Sequence, residues 1–156
     1  MIKVQKNITT IKNTNPIFAR TNPKDLNILK SGRVEWLKWD STDASLGKKI
    51  KEQWGDVKFD FIIDDGAHWP EANRLTLENC IPFMKEDGTY FVEDVWPMHK
   101  MSQAELSNPW LVRLSERYDM LKHMRFMTAL DSYNTTHYDR RYETKCGDTY
   151  IIAINN

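Results

Sequence analysis

The sequence predicts an α/β fold, a mostly parallel sheet with helices packed on its faces. Three features carry that reading. From Arg33 onward, strand-like and helix-like segments alternate, the pattern that a parallel sheet with crossover helices leaves in a sequence. Residues 59–64 form a short, nearly all-apolar run, as expected of a strand covered on both faces. Acidic pairs then close two successive strands, Asp64-Asp65 and Glu93-Asp94.

Taken in order, residues 1–31 are polar, rich in Asn, Thr and Lys, and the least defined part of the chain; Asn15-Pro16 and Asn22-Pro23 mark turns, because proline pushes the residue before it out of the α region. Residues 33–39 are rich in β-branched and aromatic side chains and read as a strand ending at Asp40. Ser41, Thr42 and Asp43 offer N-cap oxygens, Leu46, Ile50 and Trp54 repeat at helical spacing, and Gly55 suits the stop. After the strand at 59–64, Asp65-Gly66-Ala67-His68 is a turn, and Pro70 opens a helix running to about Cys80, with Pro82 marking its end. Glu86-Asp87-Gly88 reads as a turn and residues 89–92 as the next strand. Asn108-Pro109 starts a further helix whose buried stripe is Trp110, Leu111, Leu114, Tyr118 and Leu121. Residues 124–130 and 149–154 read as two closing strands, joined by a polar stretch and able to return antiparallel at the sheet edge.

Composition excludes several classes. At 156 residues with 22 basic and 22 acidic side chains, the chain fits one globular domain with a real core and no dedicated nucleic-acid coat. Its longest apolar runs are too short to span a membrane, and no apolar core follows the first lysines as a secretory signal would require. Cys80 and Cys146 sit far apart with no CxxC, consistent with reduced thiols in a cytoplasmic protein rather than a zinc or disulfide framework. The six glycines are scattered at least eight residues apart. Neither GxGxxG nor GxxxxGK[ST] is present, so any nucleotide-like ligand is held in another way.

The chemistry concentrates at the acidic pairs. A right-handed crossover between neighbouring parallel strands places both carboxyl ends on one sheet edge, where open α/β sheets bind ligands. His68 lies three residues beyond Asp65 on the loop above that edge. Four gathered carboxylates repel unless some are protonated or a cation sits among them, and an all-oxygen ligand set favours a hard ion such as Mg²⁺. Gly66 lets the loop turn sharply beside a ligand. A neutral His68 could take the proton of a metal-polarised hydroxyl. A single strand-end Asp often does no more than cap the next helix; two acidic pairs plus His68 favour a site. His99, His123 and His137 read as structural or solvated. Trp36, Trp54 and Trp110 are assigned to buried faces, and no basic run interleaves with them.

The two runs, residues 59–68 and 83–94, resemble the IDDGSH and PGGxYVIEDL segments of class I S-adenosylmethionine-dependent methyltransferases. Within that class they look most like the metal-dependent sugar O-methyltransferases of macrolide biosynthesis and the cephalosporin hydroxylase-like group. Trp39-Asp40-Ser41-Thr42-Asp43 stands where that family has a GDQSD-like segment. The resemblance runs from about Asn15 to the C-terminus and implies a Rossmann-like sheet. It further implies that Asp65, Glu93 and Asp94 hold Mg²⁺ and that His68 is the general base. Asp40 would lie near the adenine of S-adenosylmethionine, and Asp64 beside the metal or the loop. The implied reaction is methyl transfer to a small hydroxylated acceptor, with no nucleic-acid or membrane partner.

The chain departs from the family pattern in two places. The family's opening strand and glycine-rich loop have no counterpart, as though the first βα unit were missing, and residues 11–16 offer only Asn and Thr where an acidic residue would bind the ribose. Ala67 replaces the family's serine. Three explanations compete: a fragment, a compact variant completed by another subunit, or a descendant that lost methyl transfer. The second carries an expectation of homo-oligomers, since an open sheet edge invites association. Two functional alternatives stand beside the methyltransferase: a non-catalytic remnant serving as a binding or assembly module, and a metal-assisted hydrolase or lyase.

Overall fold

The computed structural model describes residues 2–4, 9–12, 35–144 and 149–155. The turns expected at Asn15-Pro16 and Asn22-Pro23, most of the stretch 11–16, the side chain of Trp36, and Cys146 lie outside the described residues. The elements in chain order are β1 (Ile2–Val4), β2 (Thr9–Lys12), β3 (Glu35–Lys38), α1 (Leu46–Trp54), β4 (Phe59–Asp64), α2 (Pro70–Cys80), β5 (Met84–Val95), α3 (Gln103–Leu106), α4 (Pro109–Arg113), α5 (Met120–Leu130), β6 (Asn134–Asp139), α6 (Arg141–Thr144) and β7 (Tyr150–Asn155).

The seven strands form one sheet in the order β3-β2-β1-β4-β5-β7-β6. β2 and β3, and β4 and β5, pair in parallel; the other pairings are antiparallel. The sheet is therefore mixed: β2, β3, β4, β5 and β6 share a direction while β1 and β7 run against them. β7 returns antiparallel beside β5, as the closing strands predicted. β1 sits between β2 and β4 and meets β2 across a four-residue connection, too short for a crossover helix.

Local sequence chemistry explains the elements that read correctly. Pro70 takes the first turn of α2, where its missing N–H is no loss. Gly55 ends α1 at φ 71°, ψ −148°, a conformation essentially confined to glycine, while its N–H closes on the Lys51 carbonyl. α2 packs on β4 and β5 and touches α1 and α5. Beneath the helices, register aligns Ile62 with Tyr90 and Ile154, and Val92 with Ile152. These side chains, with Leu46, Ile50, Leu77, Phe126 and Leu130, form one core; each full burial is worth about 1.5–3 kcal/mol. Phe61 on β4 is 46% exposed, so the apolar run of β4 does not signify burial on both sides.

Four expectations change. Residues 124–130 are helix, not strand: Asp119 caps α5 by accepting from the Lys122 N–H, and His123, Phe126 and Leu130 share the buried face. Packing against α2 selects this period over the apolar run itself. The closing strand beside β7 is instead β6, inside the polar stretch, with alternating burial at the sheet edge. The helix opening at Pro109 ends at Arg113, capped by Asn108; Leu111 and Tyr118 are buried, whereas Trp110 is 38% and Leu121 60% exposed. Finally, 86–88 is not a loop between elements but lies within β5. Against β4, pairing jumps from Phe59↔Met84 to Phe61↔Thr89, so β5 accommodates extra residues in a bulge. A Cβ on Gly88 there would stand 2.7 Å from Met84 Cγ and 3.0 Å from the Phe59 carbonyl oxygen.

Candidate active site

The parallel register of β4 and β5 sets Asp64 opposite Val92, so the next residues, Asp65 just after β4 and Glu93-Asp94 near the end of β5, stand side by side at the carboxyl edge of these strands. Asp65, His68 and Asp94 converge there, with one ligand-type atom from each within 4.8 Å of the others. His68 Nε2 stands 3.2 Å from Asp65 Oδ1, and its Nδ1 is 3.9 Å from Asp94 Oδ2. All three are partly exposed, at 27–45% of their side-chain surface. His68 and Asp94 both adopt positive φ, 64° and 52°. Such backbone costs about 1–3 kcal/mol for non-glycine residues and concentrates at working sites.

Asp64 differs from its neighbour. It is 2% exposed and receives a long hydrogen bond (3.4 Å) from the Tyr90 hydroxyl at Oδ2, while Oδ1 has no well-formed partner among the described residues. Burial pushes its carboxyl up to about 7. Tyr90, which sequence reading treated only as a strand residue, is thus part of the site's foundation; a tyrosine in a central apolar strand signals a hydroxyl in need of a partner. Glu93, half-buried on β5, falls outside the convergent trio, as expected where successive strand side chains alternate in direction.

Asp40 follows β3 at the same sheet edge. With β2 and β1 between β3 and β4, it lies three strand spacings from Asp65, roughly 14 Å. It does not join the carboxylate cluster; its Oδ1 accepts from the Thr42 N–H and hydroxyl. The loop after it is pinned by α2: Ser41 Oγ meets Thr76 Oγ1 at 2.9 Å, and Asn79 donates to the Ser41 and Asp43 carbonyls. Thr76 and Asn79 had no motif to announce them, since their partners are about 35 residues away in the chain.

The donor set fits a hard cation. Asp65 and Asp94 present carboxylates across a short gap, with the His68 imidazole between them. A divalent ion at this edge would relieve their mutual repulsion.

No protein-family model matches the chain. It is 27% identical over 97 residues to mycinamicin VI 2''-O-methyltransferase from Micromonospora griseorubida, covering 58% of this chain and 24% of that protein. The structure of the MycE methyltransferase of the mycinamycin biosynthetic pathway, in complex with Mg and SAH, matches with a TM-score of 0.52 at 16% identity, over 94% of this chain and 44% of that one. A structure from Staphylococcus aureus of the caffeoyl-CoA O-methyltransferase type matches with a TM-score of 0.59 at 16% identity, over 95% of this chain and 64% of that one. The chain spans less than half the length of the mycinamicin enzyme. Fold and sequence likeness thus agree with the motifs: the chain has the Rossmann-like fold of the class I S-adenosylmethionine-dependent methyltransferases and resembles the macrolide sugar O-methyltransferases among them.

Proposed function

We propose that this chain is a methyl-transfer domain using S-adenosylmethionine and Mg²⁺ on a small hydroxylated acceptor. The observation supporting it most is the convergence of Asp65, His68 and Asp94 at the carboxyl edge of two parallel strands. The mycinamicin relative is an O-methyltransferase and its counterpart structure holds Mg and SAH; the same ligand classes suit the donor set here. Asp65 and Asp94 would hold the metal; Glu93, which the family likeness adds, lies outside the convergent trio. Bound Mg²⁺ would make the acceptor hydroxyl more acidic. Asp64 would stand beside the metal or the 65–68 loop, and Asp40 would lie near the adenine of the cofactor.

His68 takes the acceptor's hydroxyl proton while Asp65, 3.2 Å from Nε2, orients the ring and stabilises its charged form. S-adenosylmethionine, when bound, would supply its sulfonium methyl to the acceptor oxygen, leaving a methyl ether, S-adenosylhomocysteine and the proton on His68. This chain's residues contribute positioning and electrostatics rather than a covalent intermediate.

Calorimetric titration with S-adenosylmethionine, with and without Mg²⁺, tests the reading; affinity in the micromolar range corresponds to about −8 kcal/mol. Asp65→Asn is expected to abolish Mg²⁺ binding and methyl transfer with the thermal midpoint preserved. Full metal affinity in that variant would show that the carboxylate site is wrongly placed. A second reading, a binding module without catalysis, draws on the scattered glycines, which form no glycine-rich cofactor loop within this sequence. It predicts no heat from S-adenosylmethionine under either condition.

A further inference from the structure

The loop between β3 and α1 is closed by its own side chains. Asp40 Oδ1 accepts from the Thr42 N–H at 2.9 Å and the Thr42 hydroxyl at 2.8 Å. Asp43 Oδ1 accepts from the Ser45 N–H at 2.8 Å and the Ser45 hydroxyl at 2.7 Å, and the Trp39 indole N–H donates to Ser45 Oγ at 3.1 Å. α2 adds three ties from outside. The buried hydroxyls of Ser41 and Thr76 meet at 2.9 Å, and the Asn79 amide donates to the carbonyl oxygens of Ser41 at 2.9 Å and Asp43 at 3.0 Å. Two of these three bonds end on backbone carbonyls, so they set the path of the chain and not merely one side chain. On this fixed loop Asp40 stays exposed. Its Oδ1 serves the turn, and a carboxylate has a second oxygen to offer.

The same helix begins at Pro70, two residues after His68. We propose that Thr76 and Asn79 are positioning residues for the cofactor, through which α2 holds the Asp40 loop at a set distance from His68. At 1.5 Å per residue, Thr76 and Asn79 stand about 9 and 14 Å along the helix from Pro70. That is of the same order as the roughly 14 Å that three strand spacings put between Asp40 and Asp65. One rigid element therefore reaches both loops. The inference deepens the methyl-transfer reading and rests on it: the second oxygen of Asp40 suits the exocyclic amine of an adenine, and the metal and His68 lie at the other end of the helix. A loop fixed before binding has less freedom to lose when a ligand arrives, and misplacement by about 1 Å at a reacting centre can cost a hundredfold in rate. Joining β3 to α1 requires none of the three ties, since the loop's own side chains already close its turns.

Calorimetric titrations of SAH and, separately, of Mg²⁺ into the parent chain, Thr76→Val and Thr76→Ser test this. Thr76→Val keeps the shape and removes the hydroxyl. It should weaken SAH by about five- to tenfold with Mg²⁺ affinity unchanged, while Thr76→Ser stays within about twofold of the parent. Asn79→Asp, which sets a carboxylate against two carbonyl oxygens, should weaken SAH at least as much. A measurement on the parent alone needs no variant to fold: SAH should shift the NMR signal of the Trp39 indole N–H, which is bonded to Ser45 in the same loop. The inference is overturned if Thr76→Val binds SAH as tightly as the parent and only melts earlier, which would make the ties a brace for the fold. It is equally overturned if SAH and Mg²⁺ affinities fall together, or if SAH binds the parent and the Trp39 signal stays still. In each of those cases SAH still binds the parent and the methyl-transfer reading stands; no heat from SAH in the parent would sink that reading and this inference with it.

Discussion

His123 should make this fold acid-sensitive in a way that one substitution isolates. It sits on α5 with no exposed surface. Its Nε2 is 2.7 Å from His99 Nδ1, and its own Nδ1 has no partner among the described residues. Burial, with the His99 ring adding to it, pushes the imidazole down to about 4 from an ordinary 6.5. Between those values the unfolded chain binds a proton that the folded chain refuses. The stability contributed by neutral His123 is therefore present above pH 6.5 and drains away as pH falls toward 4. The loss amounts to about 2 kcal/mol at pH 5 and about 3 kcal/mol at pH 4. Asp64 works in the opposite direction: its raised carboxyl lets the folded state bind a proton first, which adds stability as pH falls through about 7. The parent's own pH profile mixes the two, so the informative quantity is a difference. Urea unfolding of the parent and of His123→Leu, followed by tryptophan fluorescence from pH 7 to 4, should show the parent losing about 2 kcal/mol relative to the variant by pH 5, a shift of about 1 M in midpoint. A parent-minus-variant difference that stays flat over this range would refute the argument, as would an NMR titration placing the folded His123 near 6.5.

Three further outcomes follow from the same structure. Gly88→Ala forces a Cβ to within 2.7 Å of Met84 Cγ and against two β4 carbonyls; it should lower the urea-unfolding free energy by about 1–3 kcal/mol. Asp119→Ala removes the oxygen that accepts from the Lys122 N–H at the start of α5 and should cost about 1 kcal/mol in the same assay. Cys80 is 2% exposed, and burial pushes its thiol well up; it should resist a thiol-specific disulfide reagent in native buffer and react promptly in denaturant.

Several features were legible because their causes are local. β4 and α2 fall at the predicted boundaries: a six-residue apolar strand, a Gly-containing turn and a proline at the first helical position leave few alternatives. The acidic strand ends followed from that placement, and so did the approach of Asp65, His68 and Asp94. The assignment of residues 124–130 failed because a run such as Met124-Arg125-Phe126-Met127 satisfies either period, and only the neighbouring α2 surface rewards the helical one.

What the sequence by itself determined is therefore the α/β class, the β4–α2–β5 unit and the identity of the groups at its carboxyl edge, since capping, turn chemistry and short-range periodicity act within a few residues. Only the tertiary structure decided the antiparallel seat of β1 between β2 and β4, the bulge that carries β5 through Gly88, and the pairing of His99 with His123. The packing of Trp69 and Trp96 against Met98, Leu111 and Tyr118 belongs with these. Each depends on groups tens of residues apart meeting in one place. Their energies come from burial and contact rather than from any local preference of the chain.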